Sequence, residues 1–165
     1  MDPNFLSNHL LDLAKYNLWA NRRIEKIITE IPKDQILAEV TSSFPSLHQT
    51  VMHIRDAEWV WLQRVSEKNF TELPFANLDP AITLKEYLHG SAVIMQEIEK
   101  WDDAHCHSQV TYHNLKGIPC SNTRFQMLVH CFNHSTYHRG QLVTLLRQTG
   151  AQHIPSTDYI EYLRQ

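Results

Sequence analysis

Residues 132–146 read FNHSTYHRGQLVTLL and set His134 and His138 four positions apart inside an apolar helical pattern. Side chains four apart on a helix stack on one face, roughly 5–6 Å between Cβ atoms, so two imidazoles can converge on one metal ion. The stripe that carries them runs Met127, Cys131, His134, His138, Leu142, Leu145, at steps of three and four. Both histidines are therefore expected to face the interior, where an unpaired polar group costs ~1–3 kcal/mol. The pattern calls for a metal ion or a set of hydrogen-bond partners.

Working outward, Thr123 or Ser121 starts this helix, Gln148 ends it, and Gly150 stands at its C-terminal cap. Glycine is scarce, at 4 residues, and the other long segments also repeat near 3.6, which argues for helices. The first is expected from about Asn4 to Ile31, between Pro3 and Pro32, with an inward stripe of Leu6, Leu10, Leu13, Asn17, Asn21, Ile24 and Ile28. Asn17 and Asn21 interrupt that seam. Either they sit at its margin in solvent, or they face a polar pocket at mid-bundle. Pro32 to Pro45 is a connector, after which Ser46 caps a second helix to about Lys68, with Gln49 as its capping-box partner. Residues 69–80 are turn-rich, and a third helix follows from about Thr83 to Trp101. Asp102 to Ser121 is irregular, with a short hairpin around Gly117-Ile118-Pro119 as one reading. The expected fold is all-α: a four-helix bundle with an irregular or hairpin connector before the last helix.

The chain of 165 residues suits one domain over 1–165, large enough for a continuous core. Its net charge of −3 and lack of a basic stripe argue against nucleic acid as a partner. No apolar run nears the ~20 residues of a membrane span, and the N-terminal stretch does not read as a secretory signal. Three cysteines (Cys106, Cys120, Cys131) without a CxxC pair point to free thiols and a cytoplasmic location.

Bundles build metal sites from side chains on facing helices, so a third ligand is sought on another helix. His53, about two turns into the second helix, is the internal candidate. Three neutral imidazoles suit Zn²⁺ or Ni²⁺ and leave positions for water or substrate. His130, one turn before His134, is either a fourth ligand or a packing or supporting residue. Glu58 is a general base, an acceptor for a ligand N–H, or a surface glutamate paired with Arg55 or Arg64. Arg139 points about 100° away from His138 and is an ion-pair partner or a substrate clamp. Tyr159, in the aromatic tail, is a candidate for closing one end of the pocket. His105, Cys106 and His107 with His113 form a second cluster able to take a soft metal, or a solvated loop.

Over nearly its whole length the chain resembles the DinB/YfiT-like family of four-helix-bundle metalloproteins. The matching residues are Tyr16-Asn17-x-Trp19-Ala20-Asn21, then His53-Ile54 with Ala57-Glu58-x-x-Trp61. The most specific block is Asn133-His134-x-x-x-His138-Arg139-Gly140-Gln141, followed by Leu146-Arg147-Gln148-x-Gly150 and Thr157-Asp158-Tyr159. The resemblance implies that His53, His134 and His138 hold a divalent metal, in agreement with the spacing. It further implies a metal-dependent enzyme with an open coordination position, a thiol S-transferase using a low-molecular-weight thiol against a small electrophilic substrate. Competing readings are a hydrolase with a metal-activated water, and a non-catalytic stress-associated metal-binding protein with its fourth position filled by His130 or Glu58. Relatives often pair as homodimers.

Overall fold

The computed structural model describes residues 3–73, 78–114 and 116–165, so part of the turn-rich stretch 69–80 and part of the 108–121 hairpin lie outside the described residues. In chain order the elements are α1 (Phe5–Ile28), α2 (Lys33–Leu37), α3 (Leu47–Val65), α4 (Pro80–Ile98), α5 (Asp103–His107), β1 (Gln109–His113), β2 (Pro119–Thr123), α6 (Arg124–Gln148) and α7 (Tyr159–Tyr162). The fold is a four-helix bundle of α1, α3, α4 and α6. Helix α1 packs against α4 and α6, and α3 packs against the same two. The chain therefore crosses the bundle diagonally twice, from α1 to α3 and from α4 to α6. The second crossing holds the antiparallel hairpin, in which Tyr112 pairs with Cys120.

Helix ends follow local chemistry. The Ser46 hydroxyl accepts from the Gln49 amide at 3.1 Å. Thr123, not Ser121, starts α6 with a reciprocal capping box to Gln126. Gly150 lies one residue past the cap Thr149 at φ +80°, and the Gly150 and Ala151 amides donate back to Arg147 and Leu146. That is a Schellman closure, which needs a left-handed residue. Helix α4 begins three residues earlier than periodicity suggests, because Asp79 caps it and Pro80 fits the first turn. Helix α1 has no side-chain cap of its own. The Asp103 carboxylate of α5 accepts from the Leu6 and Ser7 amides at 3.2 and 2.9 Å, and these bonds hold its pKa below the usual carboxylate range. The short helices α2 and α5 lack the repeated turns that make periodicity readable.

The core has two apolar halves. One gathers Leu10, Ala14, Ile94, Ile98, Met127, Leu128 and Cys131, and the other gathers Ile24, Ile28, Val51, Ile54, Leu84, Leu142 and Leu145. Between them lies a polar layer drawn from all four long helices. Glu58 is 0% exposed. Its Oε1 accepts from Asn17 Nδ2 at 2.8 Å, Asn21 Nδ2 at 3.2 Å and Ser135 Oγ at 2.9 Å, and its Oε2 accepts from Ser91 Oγ at 2.6 Å. On the other side Arg139 Nη1 donates to Asn17 Oδ1 at 2.5 Å and to Asn21 Oδ1 at 2.9 Å. The two amides thus stand between a buried carboxylate and a buried guanidinium, each giving N–H to one and oxygen to the other. Tyr87 closes the set by donating to Asn21 Oδ1 at 2.6 Å.

Removing one member of a buried charge pair strands the other, at a cost of about 3–5 kcal/mol. Glu58→Ala is therefore expected to lower unfolding stability by that amount in urea titrations, against less than about 1 kcal/mol for the exposed Glu30→Ala. A Glu58→Ala protein as stable as wild type would show that the layer does not hold the bundle.

Candidate metal centre

Helix α3 carries His53 and helix α6 carries His134 and His138. The antiparallel packing of the two brings their rings together near one level of the bundle. The three Nε2 atoms form a nearly equilateral triangle: His53 to His134 is 3.1 Å, His53 to His138 is 3.2 Å, and His138 to His134 is 3.2 Å. Three nitrogens each about 2.0–2.1 Å from one Zn²⁺ stand about 3.3–3.4 Å apart when tetrahedral, close to this spacing. His138 is buried, while His53 and His134 are half-buried.

The donor chemistry fits a cation. Gln141 Nε2 donates to Ser43 Oγ at 3.1 Å, which turns its Oε1 toward His138 Nδ1 at 2.8 Å. The Nδ1 nitrogen then carries the proton, and the His138 Nε2 lone pair faces the other two rings. His134 Nδ1 is buried with no hydrogen-bond partner among the described residues. Three nitrogens at these separations cannot satisfy one another pairwise by hydrogen bonds. A divalent ion satisfies all three at once. Burial, with the neighbouring His138 ring adding to it, pushes the His53 pKa down to about 4. His134 is likewise pushed down to about 4, by burial first and then by the His138, His53 and His130 rings. Neutral, metal-competent imidazoles are thus favoured well below the usual histidine range.

Phe44 roofs the trio. Its ring stacks on His53 at 4.2 Å between centroids and meets His138 edge-on at 5.6 Å. Tyr137 approaches His138 from the other side at 4.9 Å. Phe44 had no signal in the sequence, since the 32–45 connector has no period to read. Gln141 did have one: it lies three residues beyond His138 on the same helix face.

The other candidates fall elsewhere. The carboxylate of Glu58 is committed to Asn17, Asn21, Ser91 and Ser135, with Arg139 across the same layer. Burial removes the reading of Glu58 as a surface partner of Arg55 or Arg64. His130 is exposed, with its ring edge-on to Trp61 at 4.9 Å and 6.1 Å from His134. Tyr159 donates to Asp12 and packs edge-on against Tyr16 at 5.0 Å, tying the tail to α1. Among the described residues His53, His134 and His138 form a group that could hold a metal, and His105, His107 and His113 join no such group. Cys106 is buried in the core instead, where burial pushes its thiol pKa up to about 11.

The model of the DinB family matches residues 6–165. The chain belongs to the DinB family. It is 29% identical to protein DinB of Bacillus subtilis, over 96% of this chain and 95% of that protein. Two solved structures share its fold. A DinB-like protein of Bacillus cereus superposes with a TM-score of 0.64 at 19% identity, covering 83% of this chain and 89% of that one. A DinB-like protein of Bacillus subtilis gives 0.68 at 16% identity, covering 88% and 97%. This DinB-family chain thus brings its three-histidine cluster to one point on the family's helical frame.

Two predictions test the centre. His53→Ala, His134→Ala and His138→Ala should each abolish stoichiometric Zn²⁺ or Ni²⁺ uptake measured by elemental analysis after dialysis. Gln141→Ala should weaken it by roughly 10–100-fold. Retention of stoichiometric metal by all three histidine variants would refute the ligand assignment. The pH dependence has a definite sign. A histidine whose pKa is lower folded than unfolded leaves the unfolded chain binding more protons between about 6.5 and 4, so the metal-free protein loses stability as pH falls through that window. Proton NMR of His53 and His134 should show midpoints near 4; midpoints at about 6.5 would remove the effect and midpoints above it would reverse the sign.

Proposed function

We propose that this DinB-family protein is a divalent-metal-dependent S-transferase that joins a low-molecular-weight thiol to an electrophilic substrate. What carries the reading is the triangle of three Nε2 atoms at 3.1–3.2 Å with no fourth protein donor in the group among the described residues. Closed structural sites hold four protein ligands, whereas catalytic sites hold three and keep a position open. The placement of His130 against Trp61 and of Glu58 in the core layer supports the open reading over a filled, non-catalytic one.

A bound Zn²⁺ or Ni²⁺ supplies the acidity that turns a thiol into a thiolate at neutral pH. The chain's own residues do the rest. His53, His134 and His138 hold three coordination positions. Gln141 fixes the His138 tautomer, Phe44 shields two of the rings from water, and the Asn17–Asn21–Glu58–Arg139 layer sets the rotation of α6. In the reaction the thiol sulfur forms a bond to the electrophilic carbon and the leaving group departs with its electron pair. The thiol proton passes to solvent.

The acid–base inventory supports thiol over water as nucleophile, with the Glu58 carboxylate taken up in the core and the His130 ring packed against Trp61. A hydrolase wants a carboxylate or imidazole free to take a proton from water. Here the Glu58 oxygens already accept four hydrogen bonds in the core. A thiol, far more acidic than water, needs no such base. The free thiols Cys106, Cys120 and Cys131 support a reducing, cytoplasmic setting. The family match over residues 6–165 supports one domain.

Metal-loaded protein should conjugate small thiols to monochlorobimane well above the uncatalysed rate, and His134→Ala should fall to background. Turnover that survives complete chelation would take the metal out of the mechanism.

A further inference from the structure

A cavity of about 570 Å³ lies away from the trio, between the C-terminal end of α3, the residues after it, and β1. Its wall presents two cations, Arg64 and Lys68, and neither has a carboxylate within 4 Å among the described residues. The acid in the same wall, Glu67, is paired with Arg124 at 2.5 Å. Arg64 is held in place by its neighbours: its guanidinium lies 4.7 Å from the Trp61 ring and 4.9 Å from the Tyr112 ring. Among the described residues its hydrogen bond is one donation to the His113 carbonyl at 3.3 Å, which leaves most of its N–H groups for a ligand. Partial burial lowers its pKa from the ordinary arginine range. A half-buried, stacked, uncompensated guanidinium beside a lysine is a receptor for a carboxylate, which an arginine can bind through two parallel hydrogen bonds.

Side chains of α3 and α6 line the way from this cavity to the histidine trio. On α3, His53, Ala57, Trp61 and Arg64 share a stripe at steps of four, four and three. On α6, His134 and His130 continue the facing wall. The rings form a chain, His134 to His130 at 6.1 Å, His130 to Trp61 at 4.9 Å, and Trp61 to Tyr112 at 5.7 Å. A second cavity of about 280 Å³ opens between Trp61, His130 and Tyr112 along this line. Arginine side chains on a helix lean toward its N-terminus, and the Arg64 guanidinium stands over Trp61, eight residues from His53. At 1.5 Å per residue that is roughly 12 Å along the axis. An extended peptide covers ~3.3–3.6 Å per residue, so a thiol of tripeptide size reaches about 10–11 Å over its three residues, and a sulfur–metal bond of ~2.3 Å makes up the rest of the gap.

We propose that Arg64 and Lys68 anchor the carboxylate of such a thiol, which lies along the α3–α6 groove over Trp61 with its sulfur end at His53, His134 and His138. The sulfur end rests on the function proposed above; the anion anchor does not. Two arms keep them apart. In the first, ¹⁵N-labelled protein is titrated at fixed ionic strength with succinate, with its neutral diamide, and with inorganic phosphate. Saturable shifts at Arg64, Lys68 and Tyr112 are expected with succinate, absent with the diamide, and at least tenfold weaker in Arg64→Gln and in the exposed variant Lys68→Ala, with folding checked by circular dichroism. Equal responses in wild type and both variants, equal responses to the diamide, or tenfold tighter phosphate binding would each overturn the carboxylate anchor. In the second arm, Co²⁺-loaded protein is titrated with glutathione and with S-methylglutathione. A sulfur-to-cobalt charge-transfer band is expected with glutathione alone, at a concentration at least tenfold lower in wild type than in Arg64→Gln. The same concentration dependence in both proteins overturns the link between groove and centre. Absence of any band removes the thiol function and leaves the anchor to be judged by the first arm.

Discussion

Glu58 puts a carboxylate where the four long helices meet, out of reach of water. An isolated charge there would be prohibitive, and the neighbouring side chains answer it in detail. Asn17 and Asn21 from α1, Ser91 from α4 and Ser135 from α6 donate to it. Arg139, also from α6, returns the opposite charge through the two asparagine oxygens. Apolar packing alone tolerates rotation and sliding of helices, because one hydrophobic contact resembles another. A hydrogen-bonded charge layer does not, since a shift of one residue leaves donors and acceptors buried and unpaired. The layer therefore fixes the register of all four helices at one level.

The histidine trio inherits that register. His134 is followed directly by Ser135, and His138 directly by Arg139. With about 100° of rotation per residue, the face of α6 that bonds to Glu58 and the asparagines lies beside the face that presents the two imidazoles. Once Ser135 and Arg139 are engaged, His134 and His138 have little choice of direction, and α3 meets them with His53 because the same layer holds Glu58 five residues further along. Gln141, Ser43 and Phe44 then set ring tautomer and tilt on a smaller scale. The half-buried position of the cluster follows as well. The bundle's centre is already occupied by the polar layer, so the imidazoles converge toward the α3–α6 seam.

This also explains which features were legible in the sequence. The long helices repeat their apolar residues over five turns or more, and the two histidines at a four-residue step stood out against that repeat. The asparagines at 17 and 21 break the α1 seam visibly, and they lie in the buried polar layer between Glu58 and Arg139. Glu58 was harder: a glutamate in a helix full of charges looks like a surface residue, and only its three-dimensional partners reveal otherwise. Helices α2 and α5 are five residues each, too short for a period. Asp103 capping α1 across 96 positions of chain is a tertiary event with no local mark.

The two diagonal crossings of the chain complete the argument. Because α1 is followed across the bundle by α3, the 29–46 connector must pass over one end of the α3–α6 pair, which brings Ser43 to Gln141 and Phe44 onto the rings of His53 and His138. Because α4 is followed across the bundle by α6, the second connector lands at the opposite end of the same pair, where Tyr112 of the hairpin flanks Arg64 and Trp61. One seam thus carries a roofed cluster of imidazoles towards one end and, at the other, a stacked guanidinium with no carboxylate partner among the described residues. The same topology that forces long connectors sets the two connectors at opposite ends of that seam, so the imidazole cluster and the Arg64 guanidinium share one pair of helices.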